Sequence, residues 1–149
     1  MSSHRTTTVW SREGHPFTYD GYSRDHDWRF PVAPPIRATA APDFKGNPSL
    51  VNPEDALVAA ISGCHLLTFL AVCARAGLVV DAYEDEAEGT LEMDPVARKR
   101  AVTRCTLRPK VTFAGEAPSA EKLEELHDKA HAGCFIANSV KTAITIEPR

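Results

Sequence analysis

The stretch Asn52–Gly77, NPEDALVAAISGCHLLTFLAVCARAG, decides the fold. Its first residues are a helix start. The Asn52 side-chain oxygen can accept from the free amides of a first turn. Pro53 fits the first helical position, where a missing N–H costs nothing. Glu54 and Asp55 then stand at the positive end of the helix dipole. From Ala56 to Val72 there is neither a charge nor a proline. Leu57, Val58, Ile61, Leu66, Leu67, Phe69, Leu70 and Val72 fall on most faces, which predicts a helix buried nearly all round. Gly77 is its expected C-cap. Near the middle sits Cys64, with His65 beside it. A transmembrane span is the rival reading; Ser62, Gly63, His65 and Thr68 inside the run, and Arg75 just after it, speak against it.

The totals agree with a water-soluble chain. At 149 residues the size prior is a single domain, 1–149. An apolar fraction of 43% supports a core, and a net charge of −3 offers no basic field to nucleic acid. No apolar segment follows a charged N-terminus, so a signal peptide is not expected. Four cysteines without a secretion signal suggest a reducing cytoplasm, with free or redox-active thiols. No CxxC pair is present, which weakens zinc-ribbon and thioredoxin readings.

Around the central helix the pattern is mixed. Residues 5–11 (RTTTVWS) read as a strand, with Phe17–Tyr19 as a segment that pairs back on it. Residues 22–30 read as a polar strand and Ile36–Thr39 as a short one, separated by Pro31–Pro35. Residues 40–51 read as loop. After the helix, residues 79–93 alternate as a strand, and residues 101–113 should pair with them as a hairpin, with Pro109 marking a bulge or an edge. Ser119 caps a second helix, along which Leu123, Leu126, Ala130 and Cys134 recur at helical spacing. Thr142–Ile146 is a closing strand. The expected class is α+β.

Two cysteines share a setting. Cys64 lies in SGCHLL and Cys134 in AGCFIAN, each directly after a glycine. Cys73 and Cys105 read as small buried hydrophobes. Here a resemblance enters. NPEDALVAAISGC resembles the NPE…A…C motif of the OsmC/Ohr family, the osmotically inducible and organic hydroperoxide resistance proteins. In that family the reactive cysteine lies ten residues after the glutamate, as Cys64 lies after Glu54. The second family cysteine opens a C-x-x-S-N-A segment, and Cys134–Ser139 matches it in part. Residues 22–26 (YSRDH), 62–67 (SGCHLL) and 133–141 (GCFIANSVK) are similar to one subgroup.

The resemblance implies an OsmC-like fold: antiparallel sheets around a long buried central helix, plus a second helix. It implies a cysteine-based peroxidase acting on organic hydroperoxides in oxidative-stress defence, without a cofactor or a metal. Cys64 would be peroxidatic and would pass to a sulfenic acid. Cys134 would resolve it as a disulfide, which an external dithiol, lipoyl-type in one branch, would reduce. An arginine held by Glu54 would stabilise the thiolate. Arg24, thirty residues before Glu54, is the preferred candidate, and Arg37, seventeen before it, is the alternative. The chain departs from the family at Phe135, where a proline is common, and at His65, where other branches carry an aromatic.

Ten helical residues rise about 15 Å, so Glu54 cannot approach Cys64 on one straight helix. The expectation is an intertwined homodimer with the site at the interface, in the cytoplasm and away from membrane and nucleic acid. Two rival functions remain. A non-enzymatic dimer could hold a lipid-like ligand against the apolar helices. His127, His131 and Cys134, at i, i+4 and i+7, could form a Cys/His metal site, although both histidines read more simply as the surface face of the second helix.

Overall fold

The computed structural model describes residues 1–149. It divides into two compact units, residues 1–56 and 57–149.

The N-terminal unit is an antiparallel meander of three short strands, β1 (Thr7–Val9), β2 (His26–Arg29) and β3 (Ile36–Ala38). Trp28 stands opposite both Thr8 and Ile36. The strand expected over 5–11 shrinks to three residues. Phe17–Tyr19 does not pair back; it leads into a turn in which the amides of Gly21 and Tyr22 donate to the Thr18 carbonyl. The aromatic residues here make a cluster instead, with Trp10, Phe17 and Tyr22 ring centroids 5.7 to 6.4 Å apart. After β3 the chain loops back so tightly that a Cβ on Gly46 would sit 1.5 Å from the Ala40 carbonyl oxygen; only glycine fits. The loop ends at Asn52, whose Oδ1 accepts from the Asp55 amide at 2.9 Å and whose Nδ2 donates to the Asp55 carboxylate at 2.7 Å. The expected N-cap is therefore formed, and the helix it starts is α1 (Pro53–Arg75).

The C-terminal unit holds most of α1 and everything after it. Gly77, at φ +73°, ends the helix: its amide reaches the Ala74 carbonyl, and that of Leu78 reaches the Cys73 carbonyl. This is the Schellman arrangement that favours glycine. The alternating stretch after it is two strands, β4 (Val80–Asp85) and β5 (Glu88–Met93), and its partner stretch is likewise two, β6 (Arg100–Leu107) and β7 (Pro109–Phe113). The hairpin pairs as expected, β5 with β6 and β4 with β7, but it belongs to two sheets. The break has a local cause. Asp85 accepts from the Arg108 amide at 2.6 Å and from the Ser62 hydroxyl of α1 at 2.5 Å. Pro109, next in line, has no N–H to continue the ladder. Helix α2 (Ala120–Gly133) starts at Ser119, whose hydroxyl accepts from the Lys122 amide. Strand β8 (Ala143–Ile146) lies parallel to β6, while the other strand pairs are antiparallel.

Two apolar clusters hold this unit. Phe69 and Cys73 of α1 pack with Leu126 and Ala130 of α2, with Tyr83, Val111 and Phe113 around them. Ile61 packs with Cys105 and Leu107 of β6, with Ile144 and Ile146 of β8 alongside. Each fully buried Phe, Ile or Leu contributes about 1.5–3 kcal/mol. Within one chain, α1 is not buried all round as the apolar run suggested. Its buried residues are Ile61, His65, Phe69 and Cys73, a single stripe at four-residue spacing, and Leu67 is 70% exposed. By length and composition alone the helix is long and apolar enough to cross a membrane.

Candidate functional site

The C-terminal unit brings Cys64 and Cys134 together. Cys64 projects half-buried from the middle of α1. Cys134 is buried and caps α2, with its amide bonded to the His131 carbonyl. Both are free thiols, and they lie close enough for each to alter the acidity of the other. Close approach of the two helices here is permitted by Gly133: a Cβ at that position would lie 3.2 Å from Thr68 Cγ2 of α1.

The turn after α2 completes the arrangement. The Ala137 amide donates to Cys134 Sγ at 3.4 Å and the Asn138 amide to the Cys134 carbonyl at 3.0 Å. The Asn138 side chain donates to the Ala132 carbonyl, and the Ser139 hydroxyl to the Phe135 carbonyl at 2.7 Å. Pinned in this way, residues 134–139 hold the Ile136 and Phe135 backbone beside Cys64, where it favours the thiolate.

The electrostatics separate the two thiols. Burial pushes Cys64 up, but the Ile136 amide, the Cys134 thiol, the Phe135 amide and the Thr68 hydroxyl together bring it below its ordinary value. Burial, and the neighbouring Cys64, push Cys134 up. Of the pair, Cys64 is the one that ionises first. Backbone amides aimed at one atom make an anion cradle that needs no charged side chain. Phe135 presents its ring outward beside this cradle, 82% exposed.

The other expected residues lie in the N-terminal unit. The Arg24 guanidinium donates to the carbonyls of Tyr19 and Tyr22 and lies 3.8 Å from the Tyr22 ring centroid. Arg37 pairs with Asp27 at 3.0 Å across β2 and β3. Neither arginine pairs with Glu54 within this chain, and Glu54 Oε2 is buried without a hydrogen-bond partner. A recess of about 590 Å³ opens here, lined by Trp10, Phe17, Tyr22, Arg24 and Pro53.

His127 departs from its expected surface position. It is 2% exposed, and its Nδ1 lies 3.0 Å from His65 Nε2. The Phe69 ring stacks on His127 with centroids 4.3 Å apart. Burial holds both imidazoles down to about 4, with the neighbouring His127 adding to the effect on His65. No three His, Cys, Asp or Glu side chains converge as metal ligands, so His127, His131 and Cys134 do not form the three-ligand set that their spacing suggested.

Sequence reasoning missed the amides of Phe135 and Ile136, since a backbone N–H leaves no mark in residue type. It also passed over Thr68, four residues after Cys64 on the same helix face, whose hydroxyl donates to the Cys64 carbonyl at 2.9 Å.

A family model described as OsmC-like protein matches residues 46–149. No curated protein matches the chain. Among solved structures, the chain is similar to an OsmC-like protein of unknown function from Vibrio cholerae, at 39% identity and a TM-score of 0.94 over 100% of both chains. An organic hydroperoxide resistance protein of Bacillus subtilis is 15% identical with a TM-score of 0.68, covering 97% of this chain and 98% of that one. One from Legionella pneumophila is also 15% identical, with a TM-score of 0.67, covering 99% and 97%. These last two share the fold, two helices with mainly antiparallel sheets in an α+β arrangement. By sequence and by fold, the chain belongs to the OsmC-like protein family.

Proposed function

We propose that the protein is a thiol peroxidase that reduces organic hydroperoxides through Cys64 and Cys134. The observation that carries the reading is the adjacent pair of free thiols, with Cys64 held below its ordinary value and Cys134 above it. The Cys64 thiolate attacks the outer peroxide oxygen. The O–O bond breaks, Cys64 becomes a sulfenic acid, and the alkoxide leaves with a proton as the alcohol. The Cys134 thiol then attacks the Cys64 sulfur and releases water, giving a disulfide. An external dithiol, of the lipoyl type in this reading, returns both cysteines to thiols and is itself oxidised to a disulfide.

Arg24 serves as the site arginine, with Glu54 as its anchor and Arg37 as the alternative. Its guanidinium carries no carboxylate partner in the chain, and Glu54 Oε2 has no donor, so each has an unmet partner. The protein acts in this reading as a cytoplasmic homodimer. The open apolar flank of α1, with Leu67 outward, supports a second copy as its cover. Hydroperoxide-resistance proteins among the structural neighbours support the peroxide class.

The test is mass spectrometry of thiol state after one equivalent of cumene hydroperoxide. The wild type should form a Cys64–Cys134 disulfide. Cys134→Ser should trap a sulfenic acid at Cys64, and Cys64→Ser should stay reduced. A Cys64 that remains a thiol under excess peroxide ends the proposal.

A further inference from the structure

A recess beside α2 is lined by neither Cys64 nor Cys134. It measures about 400 Å³ and lies between α2 and the last residues of the chain, a volume within the range of small-molecule sites. Leu123, Ile146 and Pro148 give it an apolar wall, and Glu124, Asp128 and the ring of His127 complete that side.

His127 is 2% exposed, and its Nδ1 is taken by His65. Its Nε2, on the opposite side of the ring, is buried and has no partner. A buried imidazole nitrogen left unpaired carries a desolvation cost that a donor would relieve. Glu124 and Asp128 stand four residues apart on one helix face, a mildly repulsive spacing for like charges. Neither carboxylate forms an ion pair or a side-chain hydrogen bond; the ion pairs of α2 belong to Glu125. Arg149, which also lines the recess, is already shared between Glu84 and Glu86 at 3.1 and 2.9 Å. The recess therefore has acceptors and negative charge but no free cation.

We propose that this recess binds a small organic amine. The primary ammonium sits between the Glu124 and Asp128 carboxylates and donates to His127 Nε2, and a short alkyl body lies against Leu123, Ile146 and Pro148. The nearly sealed position of Nε2 selects a slender primary ammonium over a bulkier head group. Binding fixes one tautomer: His127 Nδ1–H donates to His65 Nε2, and His127 Nε2 accepts. The proposal does not depend on the chemistry of Cys64.

The probes are n-butylamine and cadaverine, with butyrate as the anionic control of matched size. They are added to the whole protein at neutral pH while imidazole ¹⁵N resonances and binding heats are followed. The amines should bind saturably and move the His127 Nε2 resonance, and butyrate should do neither. Glu124→Gln with Asp128→Asn, two exposed substitutions, should weaken the amines about tenfold or more. No saturable shift at His127, an equal response to butyrate, or unchanged affinity in the double variant would each overturn the site.

Discussion

Acidification should destabilise this protein through one buried pair. His65 and His127 are 1% and 2% exposed and are hydrogen-bonded to each other at 3.0 Å. Both are held down to about 4 in the folded chain, against about 6.5 when unfolded. The sign follows from linkage. Between these values the unfolded chain binds more protons, so stability is fully present above pH 6.5 and is lost as pH falls toward 4. At pH 5 both imidazoles are neutral when folded and almost fully charged when unfolded. The penalty is about 2 kcal/mol for each, or about 4 kcal/mol in total relative to pH 7.5. That is a large share of the 5–15 kcal/mol typical of a domain. The assay is urea denaturation at pH 7.5 and 5.0 for the wild type and for His65→Leu/His127→Leu. Titrating carboxylates are common to both proteins, so the difference between their pH losses isolates the pair. The wild type should lose about 4 kcal/mol more. Losses equal to within about 1 kcal/mol, or either imidazole titrating near 6 by NMR in the folded wild type, would refute the argument.

Other perturbations follow from single contacts. A Cβ on Gly89 of β5 would meet Val58 Cγ2 of α1 at 2.4 Å, so Gly89→Ala should cost about 1–3 kcal/mol by overpacking, read as a lower denaturation midpoint. Asp85→Ala removes the acceptor for both Ser62 and the Arg108 amide; the expected loss is about 3 kcal/mol, with faster amide exchange at Arg108. Arg37→Ala breaks an exposed pair with Asp27 and should leave the denaturation midpoint unchanged, with peroxide turnover intact. Arg24→Ala should lower kcat/KM for cumene hydroperoxide about a hundredfold. Equal activities in these two variants would remove Arg24 from the site.

The parts of this protein legible in its sequence are those governed by neighbours along the chain. The Asn52 cap, Pro53 at the first helical position and the Gly77 stop depend on a few adjacent residues, and each sits where its chemistry places it. The Ser119 cap is of the same kind. The common glycine-preceded setting of Cys64 and Cys134 was also readable, and the fold brings the two near each other. Misread were features that need a partner from elsewhere. Val79–Met93 alternates as one strand, yet it divides because Asp85 is claimed by Ser62 from a distant helix and Pro109 interrupts the opposing strand. His127 has a polar side chain and neighbours of surface character, and only the approach of α1 supplies the His65 ring that lets it be buried.

The sequence by itself determined where α1 begins and ends, that it carries a thiol at its centre, and that a second thiol follows α2. Hydrogen bonds and dihedral preferences within a few residues are enough for this. The tertiary structure alone decided that Cys64 is the more acidic sulfur. The groups that lower it, the amides of Ile136 and Phe135 and the thiol of Cys134, lie some seventy residues further along the chain. They act through distance and direction in space, which residue type does not encode.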